Sequence, residues 1–78
     1  MQADIIQPMQ NVVINKEPVE LYKVLKFEGL VGTGGEAKMV VAEGLVSVNG
    51  DVEMRKRCKL KAGDVIEFNG EQLKLVRE

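Results

Sequence analysis

Glycine and asparagine-glycine punctuation constrains this chain more than any other feature. Gly29, Gly44, Asn49-Gly50, Gly63-Asp64 and Asn69-Gly70 cut residues 11–78 into short segments. A glycine after a helical-period run takes the left-handed conformation that ends a helix. Asn-Gly between apolar alternations favours a tight hairpin turn. The apolar period therefore has to be read segment by segment.

Asn11–Asn15 carries the apolar run Val12, Val13, Ile14 and suits a strand. Pro18 breaks that run and fits the first turn of a helix. Between Val19 and Glu28, Leu21, Val24 and Leu25 fall at i, i+3 and i+4, with Glu20, Lys23 and Lys26 facing outward. Gly29 supplies the stop. Thr33-x-x-Glu36 forms a capping box that starts a second helix at about Gly34. Ala37, Val40 and Val41 continue it at helical spacing, and Gly44 ends it. The two glycines in its first turn cost about 1 kcal/mol each relative to alanine, so packing on the first helix must hold it.

After Gly44 the apolar period becomes two. Val46 and Val48 alternate with Leu45 and Ser47 before the Asn49-Gly50 turn, and Val52 and Met54 follow it. A strict two-residue loop would pair Val48 with Asp51 and Val46 with Glu53, splitting the apolar face. A longer or bulged loop is expected instead, bringing Val48 to Val52 and Val46 to Met54. With Asn69-Gly70 as a two-residue loop, Ile66 meets Leu73, and Phe68 and Leu75 share that face. The order β–α–α–β–β–β–β with short links predicts an α+β domain over residues 11–78, preceded by a flexible tail at residues 1–10. That tail holds Asp4, no basic residue and no long apolar stretch, so it does not read as a signal peptide.

Composition removes several chemistries. The 78 residues contain no histidine and one cysteine, Cys58. Zinc sites of Cys/His type, histidine acid–base catalysis and Ser–His or Cys–His nucleophiles are therefore excluded. Glu36, Glu43, Glu53 and Glu67 are scattered among solvated positions, and no carboxylate pair has the apolar flank that raises a catalytic pKa. No catalytic residue, metal or cofactor is implied. Cys58 reads as a small buried hydrophobe, and a lone thiol fits a reducing cytoplasm. No apolar run reaches the ~18 residues of a membrane span.

Net charge is −1, yet its distribution is uneven. Residues 38–61 hold six basic side chains (Lys38, Arg55, Lys56, Arg57, Lys59, Lys61) against three acids, while the rest holds five basic and nine acidic. Binding responds to the local field rather than the sum. Within Arg55–Lys61 five of seven residues are basic and none is acidic. If that segment is extended, Arg55, Arg57, Lys59 and Lys61 point one way, a ridge of ~20 Å suited to several phosphates. Arginine forks onto phosphate, whereas an edge strand kept soluble by lysine needs fewer charges. Gly32-Thr33-Gly34-Gly35 lacks the spacing of a nucleotide loop and reads as a capped helix start. Tyr22, Phe27 and Phe68 are too few to stack a single strand. Phe68 belongs to the core and Phe27 fits either side. Structured RNA, read through shape and phosphates, suits the chain better.

The pattern Leu21-x-x-x-Leu25-x-x-x-Gly29-Leu30, Thr33-x-x-Glu36-Ala37-Lys38, Gly44-x-Val46-x-Val48-Asn49-Gly50 and Gly63-Asp64-Val65-Ile66 resembles the RNA-binding domain of ribosomal protein S-four type, the αL motif. Glu53-Met54-Arg55-Lys56-Arg57-Cys58-Lys59 is similar, more narrowly, to its small stand-alone bacterial members of YbcJ type. The resemblance covers roughly Val19 to Val76. It implies two helices packed on a small, mostly antiparallel sheet, with the second helix and the adjoining strand-loop surface facing ribosomal or transfer RNA. Lys38 matches a basic position of the family's second helix. Glu20 stands where many members have arginine, and Thr33-Gly34 where Ser-Arg opens the second helix. These departures move the expected contact toward Arg55–Lys61.

The resulting expectation is a non-catalytic, cytoplasmic, monomeric bacterial protein that grips structured RNA through Lys38, Arg55, Lys56, Arg57, Lys59 and Lys61. The rival is a protein-interaction module that sets the same basic residues on an acidic partner, such as a ribosomal component, within a ribonucleoprotein.

Overall fold

The computed structural model describes residues 9–78. In chain order the elements are β1 (Gln10–Ile14), β2 (Val19–Glu20), α1 (Leu21–Phe27), α2 (Gly34–Ala42), β3 (Val46–Val48), β4 (Asp51–Val52), β5 (Lys59–Leu60), β6 (Val65–Phe68) and β7 (Glu71–Arg77). The expected tail lies outside the described residues through Pro8, and Gln10, assigned to it from sequence, opens β1.

Five strands form one sheet in the order β1-β7-β6-β3-β4, and β2 pairs with β5 in a separate ribbon. The β3–β6 and β6–β7 pairs are antiparallel, while β1 runs parallel to β7 with Val12 opposite Leu75. Strand alternation sends Val12, Ile14, Val46, Ile66, Leu73 and Leu75 to one face. There they meet Leu21, Val24 and Leu25 of α1, Ala37, Val40 and Val41 of α2, and Leu60 of β5 in a single buried cluster. The result is the expected α+β arrangement of two helices on a mostly antiparallel sheet. Phe68 packs against the cluster, whereas Phe27 is 74% exposed. No helix among the described residues is long and apolar enough to cross a membrane.

Both helices end in the same way. At the end of α1 the amides of Gly29 and Leu30 donate to the carbonyls of Lys26 and Leu25, and at the end of α2 those of Gly44 and Leu45 donate to Val41 and Val40. These paired bonds need a left-handed residue just past the helix, a role filled by Gly29 (φ 76°) and Gly44 (φ 79°). At the start of α2, Thr33 Oγ1 accepts from the Glu36 amide at 3.0 Å. Glu36 reaches back to the amide of Gly32 at 2.9 Å, one residue earlier than a strict capping box. The glycine loop is thus a capped helix start.

Three sequence expectations are corrected. Pro18 does not open the first helix, because Val19 and Glu20 are held as β2 against Leu60 and Lys59 of β5. The hairpin at Asn49-Gly50 is neither lengthened nor bulged: Val48 faces Asp51, Ser47 faces Val52, and the Glu53 amide donates to the Val46 carbonyl. The split apolar face is tolerated because β4 is an edge strand beyond the core, leaving Val52 and Met54 61% and 59% exposed. A two-residue loop also suits the left-handed φ of 53° at Asn49 and 89° at Gly50. The third correction concerns residues 55–61, which are not one extended strand; only Lys59–Leu60 is β structure. The Asn69-Gly70 hairpin has the expected register, with Ile66 opposite Leu73.

Asn49 does more than turn the chain. Its side chain donates to Asp64 Oδ1 at 3.0 Å and accepts from the Val65 amide at 2.9 Å, while Asp64 Oδ2 accepts from the Lys61 amide at 2.9 Å. Burial pushes the Asp64 carboxyl up, but the Asn49 and Lys61 hydrogen bonds and the Lys61 charge outweigh it and hold the group below its ordinary value. Two turns distant in sequence are thereby tied together. Asn49→Gly keeps the left-handed turn but removes both side-chain bonds, and it is expected to cost about 1–2 kcal/mol in urea unfolding without changing the fold. A variant as stable as the parent would show that the tie contributes nothing.

Candidate nucleic-acid interface

The basic segment between β4 and β5 is shaped by its own hydrogen bonds. Glu53 accepts from the Arg55 amide at 3.0 Å, from Nε at 2.9 Å and, through its other oxygen, from Nη2 at 3.1 Å. The Arg55 guanidinium and amide lower the Glu53 pKa from its ordinary 4.5 to about 2. The chain then turns over Lys56 and Arg57, and the Cys58 amide donates to the Arg55 carbonyl at 3.0 Å. This turn breaks the alternation that would have lined up Arg55, Arg57, Lys59 and Lys61.

The turn docks on α1. The first two amides of that helix, Leu21 and Tyr22, donate to the carbonyls of Cys58 (2.9 Å) and Lys56 (3.1 Å). Helix-start amides lack partners within the helix, and here the basic loop supplies them. Glu20, the N-cap residue, makes no side-chain capping bond. Leu60 then plugs the core and fixes β5 against β2. Cys58 is half-buried and packs on the core; burial, reinforced by the Glu53 carboxylate, pushes its thiol up. It is therefore a packing residue rather than an activated nucleophile.

Docking of the loop places Arg57 beside Tyr22 of α1. The Arg57 guanidinium carbon lies 5.7 Å from the Tyr22 ring centroid, and Lys38 Nζ from α2 lies 4.7 Å from it. One aromatic ring therefore gathers two cations that stand far apart in sequence. Lys59 follows on β5, opposite Glu20. Lys56 is exposed on the turn. Arg55 is committed to Glu53, and Lys61 lies 3.9 Å from Asp64. The six sequence candidates thus separate into a group at Tyr22 (Lys38 and Arg57, the latter also 3.8 Å from Glu20), the neighbouring Lys56 and Lys59, and Arg55 and Lys61 beside carboxylates of their own segments.

Sequence reasoning missed Tyr22 and the lysines of the first helix. A groove between β1 and α1 is lined by Lys16, Lys23, Lys26, Tyr22, Arg57 and Lys59 among others. Three of these cations fall outside the 38–61 window in which charge was counted. A signal for Tyr22 did exist, since it lies off the Leu21/Val24/Leu25 stripe.

A small mixed sheet under two short helices, with a basic loop docked on the first helix, defines a class. Residues 12–76 match the family model of the S4 domain, and the chain belongs to that family. Among curated relatives, YbcJ of Escherichia coli (strain K12) is 45% identical over 69 residues, covering 87% of this chain and 99% of YbcJ. RlbA of Bacillus subtilis (strain 168), named "Probable ribosome maturation protein", is 36% identical over 59 residues, covering 76% and 83%. The solution structure of E. coli YbcJ, described as revealing an αL motif involved in RNA-binding, superposes with a TM-score of 0.69 at 39% identity over 97% of this chain and 98% of that one. The 30S ribosomal protein S4e of Thermoplasma acidophilum gives a TM-score of 0.62 at 32% identity over 74% of this chain and 31% of its own.

The Glu53–Arg55 clamp has a pH signature. A carboxyl whose pKa is lowered by folding contributes stability that is complete above its unfolded pKa, near 4.5, and is lost as pH falls through about 2. Because the Arg55 guanidinium is largely exposed, solvent screens the pair and the contribution is modest. Glu53→Gln should be less stable than the parent at pH 7, and the gap should shrink as the pH is lowered from about 4.5 toward 2, as read by urea unfolding across that range. A gap that persists at low pH would mean that the glutamine disturbs packing instead.

Proposed function

We propose that this protein binds structured RNA, ribosomal or transfer RNA, through the surface shared by α1, α2 and the β4–β5 loop. The observation that carries the reading is the convergence of Lys38 and Arg57 on Tyr22, with Lys56 and Lys59 alongside. Cations from three elements in one place meet several phosphates at once, and phosphate contacts supply most of the affinity for nucleic acid. Arg55 and Lys61 flank this centre beside Glu53 and Asp64, as Arg57 lies beside Glu20. One half-buried tyrosine cannot stack successive bases, so recognition goes through shape and backbone.

Membership of the S4 domain family and the likeness to YbcJ support RNA as the partner. The name of RlbA and the likeness to S4e favour ribosomal RNA. The role is one of binding without catalysis. A chain with a single cysteine fits a reducing cytoplasm.

The protein is expected to bind a ribosomal RNA hairpin with a log–log salt slope on the order of −3, as for about four neutralised phosphates. Replacing Lys38 and Lys59 together by glutamine should make that slope shallower by about 2. An unchanged slope in a folded double variant would remove those lysines from the contact. Absence of binding even at low salt would overturn the reading in favour of protein docking within a ribonucleoprotein.

A further inference from the structure

Glu20 is free of the duty its position suggests. A polar side chain at a helix N-cap ordinarily accepts from the second or third helical amide. Here the Leu21 and Tyr22 amides are taken by backbone carbonyls of the loop, and the Glu20 side chain caps nothing. Its carboxylate is instead turned to cations. It lies 3.4 Å from Lys23 Nζ and 3.8 Å from Arg57 Nη1, and the β2–β5 register sets Lys59 directly across from it. Residues paired directly across two strands project to the same side. One carboxylate, 22% exposed, thus sits among three basic side chains, with its partner Arg57 62% exposed.

We infer that Glu20 is a specificity-determining residue of this surface, an internal competitor for phosphate at Arg57. The inference rests on the RNA-binding reading above and adds what kind of RNA the surface rejects. An exposed ion pair of this kind holds its partner by a factor of about five at most, so Glu20 does not close the site. A lone phosphate must displace it and gains little. A folded RNA that sets neighbouring phosphates on Arg57, Lys59 and Lys38 together gains contacts that Glu20 cannot replace. Specificity of this sort comes from a repulsive element set against the wrong ligand. Glu53 plays a different part, because it also binds the Arg55 amide and so shapes the loop.

The test uses the whole chain, with a ribosomal RNA hairpin and an unpaired strand of equal length titrated across a salt series. Glu20→Gln is expected to tighten binding of the unpaired strand up to about fivefold and of the hairpin by less than about twofold, shrinking the preference for folded RNA. The salt slope of the unpaired strand should steepen by about 1 as Arg57 is freed, while that of the hairpin, which already engages Arg57, should hold. In an Arg57→Gln background the same change should have under about a twofold effect, showing that it acts through the arginine. Glu20→Asp, which keeps the charge but draws it back, should give an intermediate gain and carries the test if the glutamine variant fails to fold. Unchanged or weaker binding by a folded Glu20→Gln protein overturns the inference, as does an equal gain for both RNAs. If the parent protein binds neither RNA at low salt, the RNA-binding reading itself has failed and the inference falls with it.

Discussion

The two hydrogen bonds from the start of α1 to the loop after β4 join the parts of this molecule. A seven-residue helix is too short to persist by its own hydrogen bonding. Its hydrophobic stripe, Leu21, Val24 and Leu25, is held by the sheet, and its first amides are satisfied by the carbonyls of Lys56 and Cys58. The same contact fixes the loop. Without it the turn at Lys56-Arg57 would be left to the Glu53–Arg55 clamp, the Cys58–Arg55 bond, the Arg57–Glu20 pair and the β2–β5 ribbon. Arg57 would then be held less firmly against Tyr22 and Lys38.

An acidic excess and a basic surface coexist because carboxylates are placed among the cations with separate tasks. Glu53 folds Arg55 back on the loop, Asp64 ties the β3–β4 turn to the chain entering β6, and Glu20 faces Arg57. Each sits within 4 Å of a basic side chain, yet only Glu53 and Asp64 are bound by backbone amides as well. The local positive charge is therefore smaller in effect than the count of lysines and arginines between residues 38 and 61. Lys23 and Lys26, contributed by the first helix, partly restore it along the groove.

Elements whose determinants are local were legible from the chain. Gly29 and Gly44 ended helices where their spacing placed them, and Thr33 capped the second helix with Glu36. Ile66 met Leu73 across Asn69-Gly70 because both faces of that hairpin are sorted by a buried core. The first hairpin was misread for the complementary reason. Matching apolar faces dictates register only where a face is buried, and β4 lies beyond the core, so the turn geometry of Asn49-Gly50 decided it. Asn49 and Asp64 stood out as pattern residues, but nothing in the chain said that they bind each other.

Sequence by itself determined the class of fold, the C-terminal ends of both helices, the second hairpin and the identity of the basic residues, because these follow from backbone preference and apolar period within a few positions. Tertiary structure alone decided the parallel pairing of β1 with β7, the β2–β5 ribbon, and the gathering of Lys38 and Arg57 on Tyr22 opposite Glu20. Those contacts join segments tens of residues apart. Their geometry depends on how the helices settle on the sheet and on which backbone groups remain to be satisfied once they have done so.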